Sequence, residues 1–256
     1  MKKEELFDFL IAEAEHLFSG WDWSYIENRI VNAPLSWSYR SKLIPLIKDS
    51  KSLLDMGTGG GEFLASLTPL PKKTYATEGY EPNVFVAKQK LEPLGVKVFS
   101  IKEDDNLPFM DNEFDLIINR HESYDPNEVF RILTPGGIFI TQQVGDKNDS
   151  KLRLTLTGNS ELEQGGDWNL KFAVNELRVS GFEILERFEG ITNTRIFDVG
   201  AIVYYFKAVP WELPDFSVKK YYDKLVDLHE KISQKGYIDL EMNNHRFLII
   251  AKKPKN

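Results

Sequence analysis

There is not one cysteine in this chain of 256 residues, which excludes disulfides, thiolate metal sites and a cysteine nucleophile and fits a reducing compartment. Histidine is scarce too. With 4 histidines, no His-x-x-x-His pair and no three-ligand cluster, no metal is inferred. Basic residues are outnumbered, 32 Lys and Arg against 39 Asp and Glu, for a formal net charge of −7. The basic face that marks nucleic-acid binders is therefore missing, and Lys252, Lys253 and Lys255 read as a solvated tail. Long apolar runs are also lacking: no window approaches the roughly 18 uninterrupted apolar residues of a membrane span. The opening "MKKEELFDFLIAEAEHLF" threads acids through its apolar stripe, as an amphipathic helix does and a secretory signal does not. A cytoplasmic protein with a small-molecule partner is expected.

What is present is an alternation. From residue 51 to 144, short β-rich runs take turns with helical stretches, the pattern of a doubly wound α/β fold with its parallel sheet covered on both faces. Strands are expected at 51–56, 73–77, 97–101, 114–119 and 138–144. Between them, "EPNVFVAKQKLEPLG" puts Pro82 in a first helical turn and ends at Gly95, and "DPNEVFRILTPGG" opens on an Asp cap and stops at Pro135. A polar stretch with "GNSELEQGGD" (158–167), a helix over 169–180, a strand near 182–189 and a last strand, "HRFLIIAKK", bring the sheet to seven strands.

Three segments lie outside this alternation and are expected to cover a site. Residues 1–47 carry a helix with Leu6, Leu10, Ala14 and Leu17 on one face, then the aromatic stretch "GWDWSY". Residues 190–214 end in the apolar run "FDVGAIVYYFKAVPWELP", read as helix. A third helix, 216–235, presents Val218, Tyr222, Leu225, Leu228 and Ile232 and stops at Gly236. The expected organisation is one domain over 1–256: an N-terminal helical cover (1–47), a core sheet (48–189 and 237–256) and a C-terminal cover insertion (190–236).

"LLDMGTGGGEF", residues 53–63, follows the first strand of the alternation and opens a helix. Glycines there let a ligand touch backbone N–H groups at the positive end of a helix. Dinucleotide enzymes use the same device, and Glu78 stands at about their 20-residue separation for holding a ribose diol. Asp55 separates the readings. Its carboxylate at the loop mouth would repel a pyrophosphate, whereas S-adenosylmethionine, with a sulfonium and an ammonium, suits it.

The segment 51–144 resembles the core of the class I S-adenosylmethionine-dependent methyltransferases of the type 11-like group. "LLDMGTGGGEF" resembles that family's acid-x-Gly-x-Gly-x-Gly motif, and "YATEGYEPNVFVAK" its second strand, ending in an acid before a helix. "EDDNLPFMDNEFDLII" resembles its adenine-binding turn, and "RILTPGG" the turn before its fifth strand. The resemblance implies a Rossmann-like sheet with the last strand antiparallel and S-adenosyl-L-methionine as cofactor. It further implies that Gly57, Thr58, Gly59 and Gly61 admit the methionine and ribose portions, and that Asp55 supports the loop and the ammonium end. Glu78, beside Gly79, would take the ribose hydroxyls. Glu103 or Asp104, with Asp104 favoured, would accept from the adenine amino group, and Asn119 would lie beside the methionine.

Methyl transfer from a sulfonium needs water excluded, a nucleophile aligned and, for some acceptors, a proton removed. "NRHESYDP" (119–126) supplies Arg120, His121, Glu122 and Tyr124 after the fourth strand. His121 is the candidate general base, the alternative being that it packs on the next helix, and Glu122 would orient it or pair with Arg120. The family often places Asn-Pro-Pro-Tyr here when the target is a nucleic-acid base. Asn119-Arg120-His121-Glu122 departs from that and favours a small-molecule O, N or C nucleophile. Trp21, Trp23, Tyr25, Trp37, Tyr39 and Trp211 form either an aromatic lid or ordinary packing. His229 and His245 read as structural. A non-catalytic binding module, a nucleic-acid methyltransferase and an NAD-dependent oxidoreductase stay open as rivals, and the oligomeric state is unknown.

Overall fold

A computed structural model describes residues 3–163 and 166–255. The outermost residues of the expected cover and sheet (1, 2 and 256), and 164–165 of the polar stretch, lie outside the described residues. The chain opens with helix α1 (Lys3–Glu15), strand β1 (Ile30–Asn32) and α2 (Tyr39–Asp49). The alternation follows as β2 (Ser52–Met56), α3 (Glu62–Ala65), β3 (Lys73–Glu78), α4 (Glu81–Leu91), β4 (Lys97–Ser100), β5 (Phe114–Arg120), α5 (Pro126–Ile132) and β6 (Leu133–Val144). Then come α6 (Ser150–Thr157), α7 (Leu170–Val179), β7 (Glu183–Ile196), α8 (Val199–Ala208), α9 (Val218–Lys235) and β8 (Ile238–Lys252).

The strands form one mixed sheet in the order β1-β7-β8-β6-β5-β2-β3-β4. Strands β6, β5, β2, β3 and β4 are parallel, and β8 runs antiparallel between β6 and β7, as the family pattern implies. The chain winds outward from β2 through β3 and β4, then returns to lay β5 on the other side of β2. Ligands bind outside the carboxyl ends of strands at such a reversal, and the glycine loop and Arg120 both leave the sheet there.

Alternate residues feed the two faces. Leu53, Leu116, Ile118, Ile140 and Leu248 pack with α2, α3 and α4, while Leu54, Ile117, Phe139, Phe247 and Ile249 pack with α5 and α7. A third cluster joins α1, α6, α8 and α9 through Leu10, Leu156, Val203, Phe206, Leu225 and Leu228. Each buried aliphatic there is worth about 1.5–3 kcal/mol, more than a typical surface ion pair at about 0–1 kcal/mol, so the seam holds the cover together. Arg29 pins its rim, bonding Asp198 through Nε at 2.9 Å and Nη2 at 2.7 Å and Glu13 through Nη2 at 3.0 Å.

Five expectations are corrected. The sheet has eight strands, because Ile30–Asn32 of the supposed helical cover pairs antiparallel with Thr194–Ile196. That pairing is possible because β7 runs on to Ile196, so residues 190–196 are strand and the expected helix begins only at Val199, where the Asp198 side chain accepts from Ala201 N at 2.9 Å. Helix α1 ends at Glu15, leaving Leu17 87% exposed. Finally, Lys253 is no solvated tail: its Nζ donates to Phe130 O and Leu133 O at 2.7 Å and to Asn112 Oδ1 at 2.8 Å. Helix α5 stops at Ile132 rather than Pro135, since Leu133 already pairs with Phe114. Among the described residues no helix is long and apolar enough to cross a membrane.

Candidate active site

The loop after β2 turns through three glycines at positive φ: Gly57 (66°), Gly59 (62°) and Gly61 (83°). A side chain is excluded there for two reasons. Positive φ costs an ordinary residue about 1–2 kcal/mol, and the space is taken: a Cβ on Gly57 falls 2.2 Å from Glu122 Cγ, one on Gly59 falls 2.4 Å from Trp21 Cδ1 and one on Gly61 falls 2.7 Å from Leu91 Cγ. Gly57 and Gly59 thus face the site, whereas Gly61 lets α3 pack on α4. Thr58 N donates to Thr77 O at 2.9 Å, tying the loop to β3.

Glu78, at the end of β3, is buried, and its carboxylate spans the loop: Gly59 N donates to Oε2 at 2.6 Å and Tyr80 N to Oε1 at 2.8 Å. Burial raises its pKa against the pull of those N–H groups. A carboxylate has about four acceptor positions, so capacity remains for a further donor. Gly79 has only Ile101 O near its side-chain position, at 3.7 Å, and leaves that edge open. Asp55 is buried one step inside the loop, where burial pushes its carboxyl up to about 7 against the pull of Thr58 and Arg120.

Of the two acids proposed for the adenine, Glu103 is exposed, while Asp104 is half-buried and accepts from Ser123 Oγ at 2.5 Å. Burial raises Asp104 as well. Glu122 pairs with neither His121 nor Arg120; it turns over Gly57, with Ser123 Oγ 3.3 Å from its Oε1. Burial first, then Asp104 and Glu78, push its carboxyl up to about 7. Four carboxylates therefore border the loop.

Asn119 is fully buried, and its Oδ1 accepts from Thr141 Oγ1 at 2.8 Å and Gln143 Nε2 at 2.6 Å. Gln143 Nε2 also donates to Glu122 O at 2.8 Å, and Tyr39 OH donates to Asn119 O at 2.9 Å. The Asn119 side chain thus anchors the turn that presents Arg120, His121 and Glu122.

His121 sits in that turn at φ 64°, a left-handed conformation that His tolerates better than most residues. Solvent reaches its ring, but protein surrounds it; that desolvation, with the Arg246 and Arg120 guanidiniums, holds its pKa well below the ordinary value, so it is neutral at pH 7. Trp37 Nε1, a donor only, donates to Gln142 Oε1 at 2.9 Å. The Gln142 amide nitrogen therefore faces His121 Nε2, at 3.3 Å, and the imidazole must accept there and carry its proton on Nδ1.

The aromatic set divides. Trp37 and Tyr39 are buried supports of the turn, whereas Trp21 lies against Gly59 and meets Trp23 and Trp211 at ring-centroid distances of 6.1 Å each. Tyr25 stacks on His16 at 3.6 Å, on the rim of the cover. His245 lies between carboxylates, with Glu189 Oε1 3.1 Å from Nε2 and Asp146 Oδ1 3.4 Å from Nδ1. Sequence reasoning missed Tyr39, Gln142, Gln143 and the pair Glu128–Arg131 in these supporting roles. Glu128 Oε1 accepts from Leu107 N at 2.7 Å, and Arg131 bonds Glu128 Oε1 at 2.6 Å and Phe109 O at 2.9 Å, so the pair shapes the "NLPF" turn. The i,i+3 spacing of an acid and an arginine was their one visible signal.

Residues 54–141 match the model of a methyltransferase domain. Demethylmenaquinone methyltransferase from Thermus thermophilus is 29% identical over 122 residues, 43% of this chain and 56% of that protein, so the chain spans little more than half of that relative. Among solved structures, a candidate methyltransferase from Bacillus halodurans C-125 superposes with a TM-score of 0.58 at 18% identity, covering 85% of this chain and all (100%) of that one. A functionally unknown protein from Deinococcus radiodurans R1 gives 0.57 at 12% identity, covering 99% and 100%. These structural likenesses speak for the fold, and the matched segment contains the glycine loop, Glu78, the acidic turn and the end of β5 just described. On those grounds residues 54–141 are similar to a methyltransferase domain, and the surrounding fold is the one these solved structures share.

Proposed function

We propose that the protein transfers a methyl group from S-adenosylmethionine to a small-molecule O, N or C nucleophile by in-line displacement. The observation that carries this is the carboxylate of Glu78 bound across the loop to Gly59 N, with acceptor capacity left over and with Asp55, Asp104 and Glu122 around it. The residues fit the cofactor: bare backbone at Gly57 and Gly59, an acid for the ribose hydroxyls, an acid for the adenine amino group and negative charge for a cation. Glu78 and Gly79 would hold the ribose, Asp104 the adenine, and Asp55 with Gly57, Thr58 and Gly59 the methionine end. When bound, the cofactor supplies an electrophilic methyl group on a sulfonium.

The chain's own residues do the rest. Asn119, Gln143 and Tyr39 fix the turn that faces the reaction space. Glu122, neutral below pH 7 and ionised above it, is placed to receive a proton from the acceptor near neutrality. His121 offers its Nδ1–H and orients the acceptor as a donor; a ring flip would be needed for it to act as the base. Trp21 and Trp211 cover the loop and keep water out. The Thermus relative, a demethylmenaquinone methyltransferase, supports an organic acceptor, as does the acidic balance of the chain. We also read the chain as a single domain with α1, α8 and α9 as covers, and the cytoplasm as its place of action.

The test is methyl transfer from labelled S-adenosylmethionine to a panel of small carboxylates, phenols and amines. Transfer abolished by Glu122→Gln with S-adenosylhomocysteine binding retained supports the assignment. Binding of S-adenosylhomocysteine with no transfer to any panel member by the wild type would favour a non-catalytic binding module.

A further inference from the structure

The acceptor side of the site carries two guanidiniums that the fold leaves unneutralised. Arg120 ends β5, and its register partner on β6 is Gln142, while Arg246 on β8 pairs with Val144. Residues opposite one another in a sheet share a face, and so do residues two apart, which puts Arg120, Gln142 and Arg246 side by side at the same end of the sheet. Both arginines are half-buried. Neither has an ion pair among the described residues.

Their hydrogen bonds are few. Arg246 uses only Nη1, toward Asn148 Oδ1 at 2.5 Å and His245 O at 2.8 Å, so its Nε and Nη2 donors remain. The Arg120 guanidinium makes no hydrogen bond among the described residues and lies 4.3 Å above the Phe63 ring. The carboxylates within range are engaged elsewhere. Asp149 accepts from Asn148 Nδ2, Asn243 Nδ2 and Tyr205 OH, and Glu212 is paired with Arg153. Asp55 lies nearer Arg120, without contact, on the cofactor side. The His121 ring, close enough to feel both guanidiniums, adds an Nδ1–H donor when its Nε2 accepts from Gln142. Guanidinium donors left free in a partly desolvated place are what a planar, two-oxygen anion matches.

Building on the methyltransferase reading, we propose that Arg120 and Arg246 clamp an oxyanion on the acceptor, so that the substrate is a small molecule carrying a carboxylate or phosphate. The site is then divided by charge. The cationic cofactor meets Asp55, Glu78, Asp104 and Glu122, and the anionic acceptor meets Arg120, Arg246 and the His121 donor.

The experiment is calorimetric titration of the full chain, with and without saturating S-adenosylhomocysteine, using sodium benzoate and inorganic phosphate against sodium chloride at matched ionic strength. The expected result is binding of benzoate, phosphate or both in preference to chloride, weakened at least about tenfold in Arg246→Gln and in Arg120→Gln. S-adenosylhomocysteine affinity should stay within about twofold of wild type in Arg246→Gln. Arg246→Lys, which keeps the charge and the stem but not the planar fork, is expected to weaken oxyanion binding severalfold and serves if the Gln variant does not fold. Oxyanions binding no better than chloride, or equally well to the variants, would overturn the clamp. Oxyanion binding without S-adenosylhomocysteine binding would keep the clamp and remove the methyltransferase reading, whereas the reverse pattern would remove the clamp alone.

Discussion

The cofactor side and the acceptor side of this site are built in opposite ways. On the first, Asp55, the glycines, Glu78 and Asp104 come from the ends of β2 and β3 and the turns that follow β2 and β4, and backbone groups make most of the contacts. On the second, Arg120, His121, Gln142, Trp37 and Arg246 come from widely separated segments and meet only because β5, β6 and β8 are neighbours. Binding that relies on local turns tolerates change elsewhere in the chain, while binding that relies on strand pairing can be retuned by single side chains.

The comparison can be broken most forcefully at the loop. Gly57→Ala must adopt positive φ and displace Glu122, and it is expected to raise the dissociation constant of S-adenosylhomocysteine by about 100-fold or more, read by calorimetry. Glu78→Ala should weaken the same ligand by about 1.5–3 kcal/mol, or about 10-fold to 150-fold, through loss of charge-assisted hydrogen bonds. Unchanged affinity would remove Glu78 from the site.

A pH series sharpens the contrast in charge. Asp55 is raised to about 7 in the folded protein, so in the free chain its neutral form contributes stability that is fully present below the ordinary carboxylate pKa and is lost as pH rises through 7. A cationic ligand prefers the ionised form. Cofactor affinity should therefore rise about fivefold to tenfold from pH 6 to pH 8 while the melting temperature of the free protein falls, and Asp55→Asn should weaken both trends, Glu122 keeping its own share of each. The smallest effects are expected at the supports: Tyr39→Phe removes the bond to Asn119 O and should cost about 1 kcal/mol of stability by chemical denaturation, with S-adenosylhomocysteine affinity within about twofold of wild type.

The same division decides what the sequence made legible. Glycines after an apolar run, an acid about 20 residues on and the "NLPF" turn are short-range signals, and the helices and parallel strands between them followed from periodicity and caps. The residues that set the acceptor side carry no such mark. Trp37 and Tyr39 read equally well as lid or packing, and only the fold shows them holding Gln142 and the turn at Asn119. Strand β1 is a three-residue edge strand whose pairing is imposed by the extension of β7, so no local pattern announces it. Glu122 lies over the bare face of Gly57 rather than against His121 or Arg120, a contact that spans the β2–β5 reversal.

The central claim is that Asp55 and Glu78 shape this loop for a sulfonium cofactor and not for a dinucleotide. Parallel calorimetric titrations with S-adenosylmethionine, S-adenosylhomocysteine and NADH test it most directly. The account predicts micromolar binding of the first two and none of NADH; binding of NADH alone would contradict the reading of Asp55 and of the site built around it.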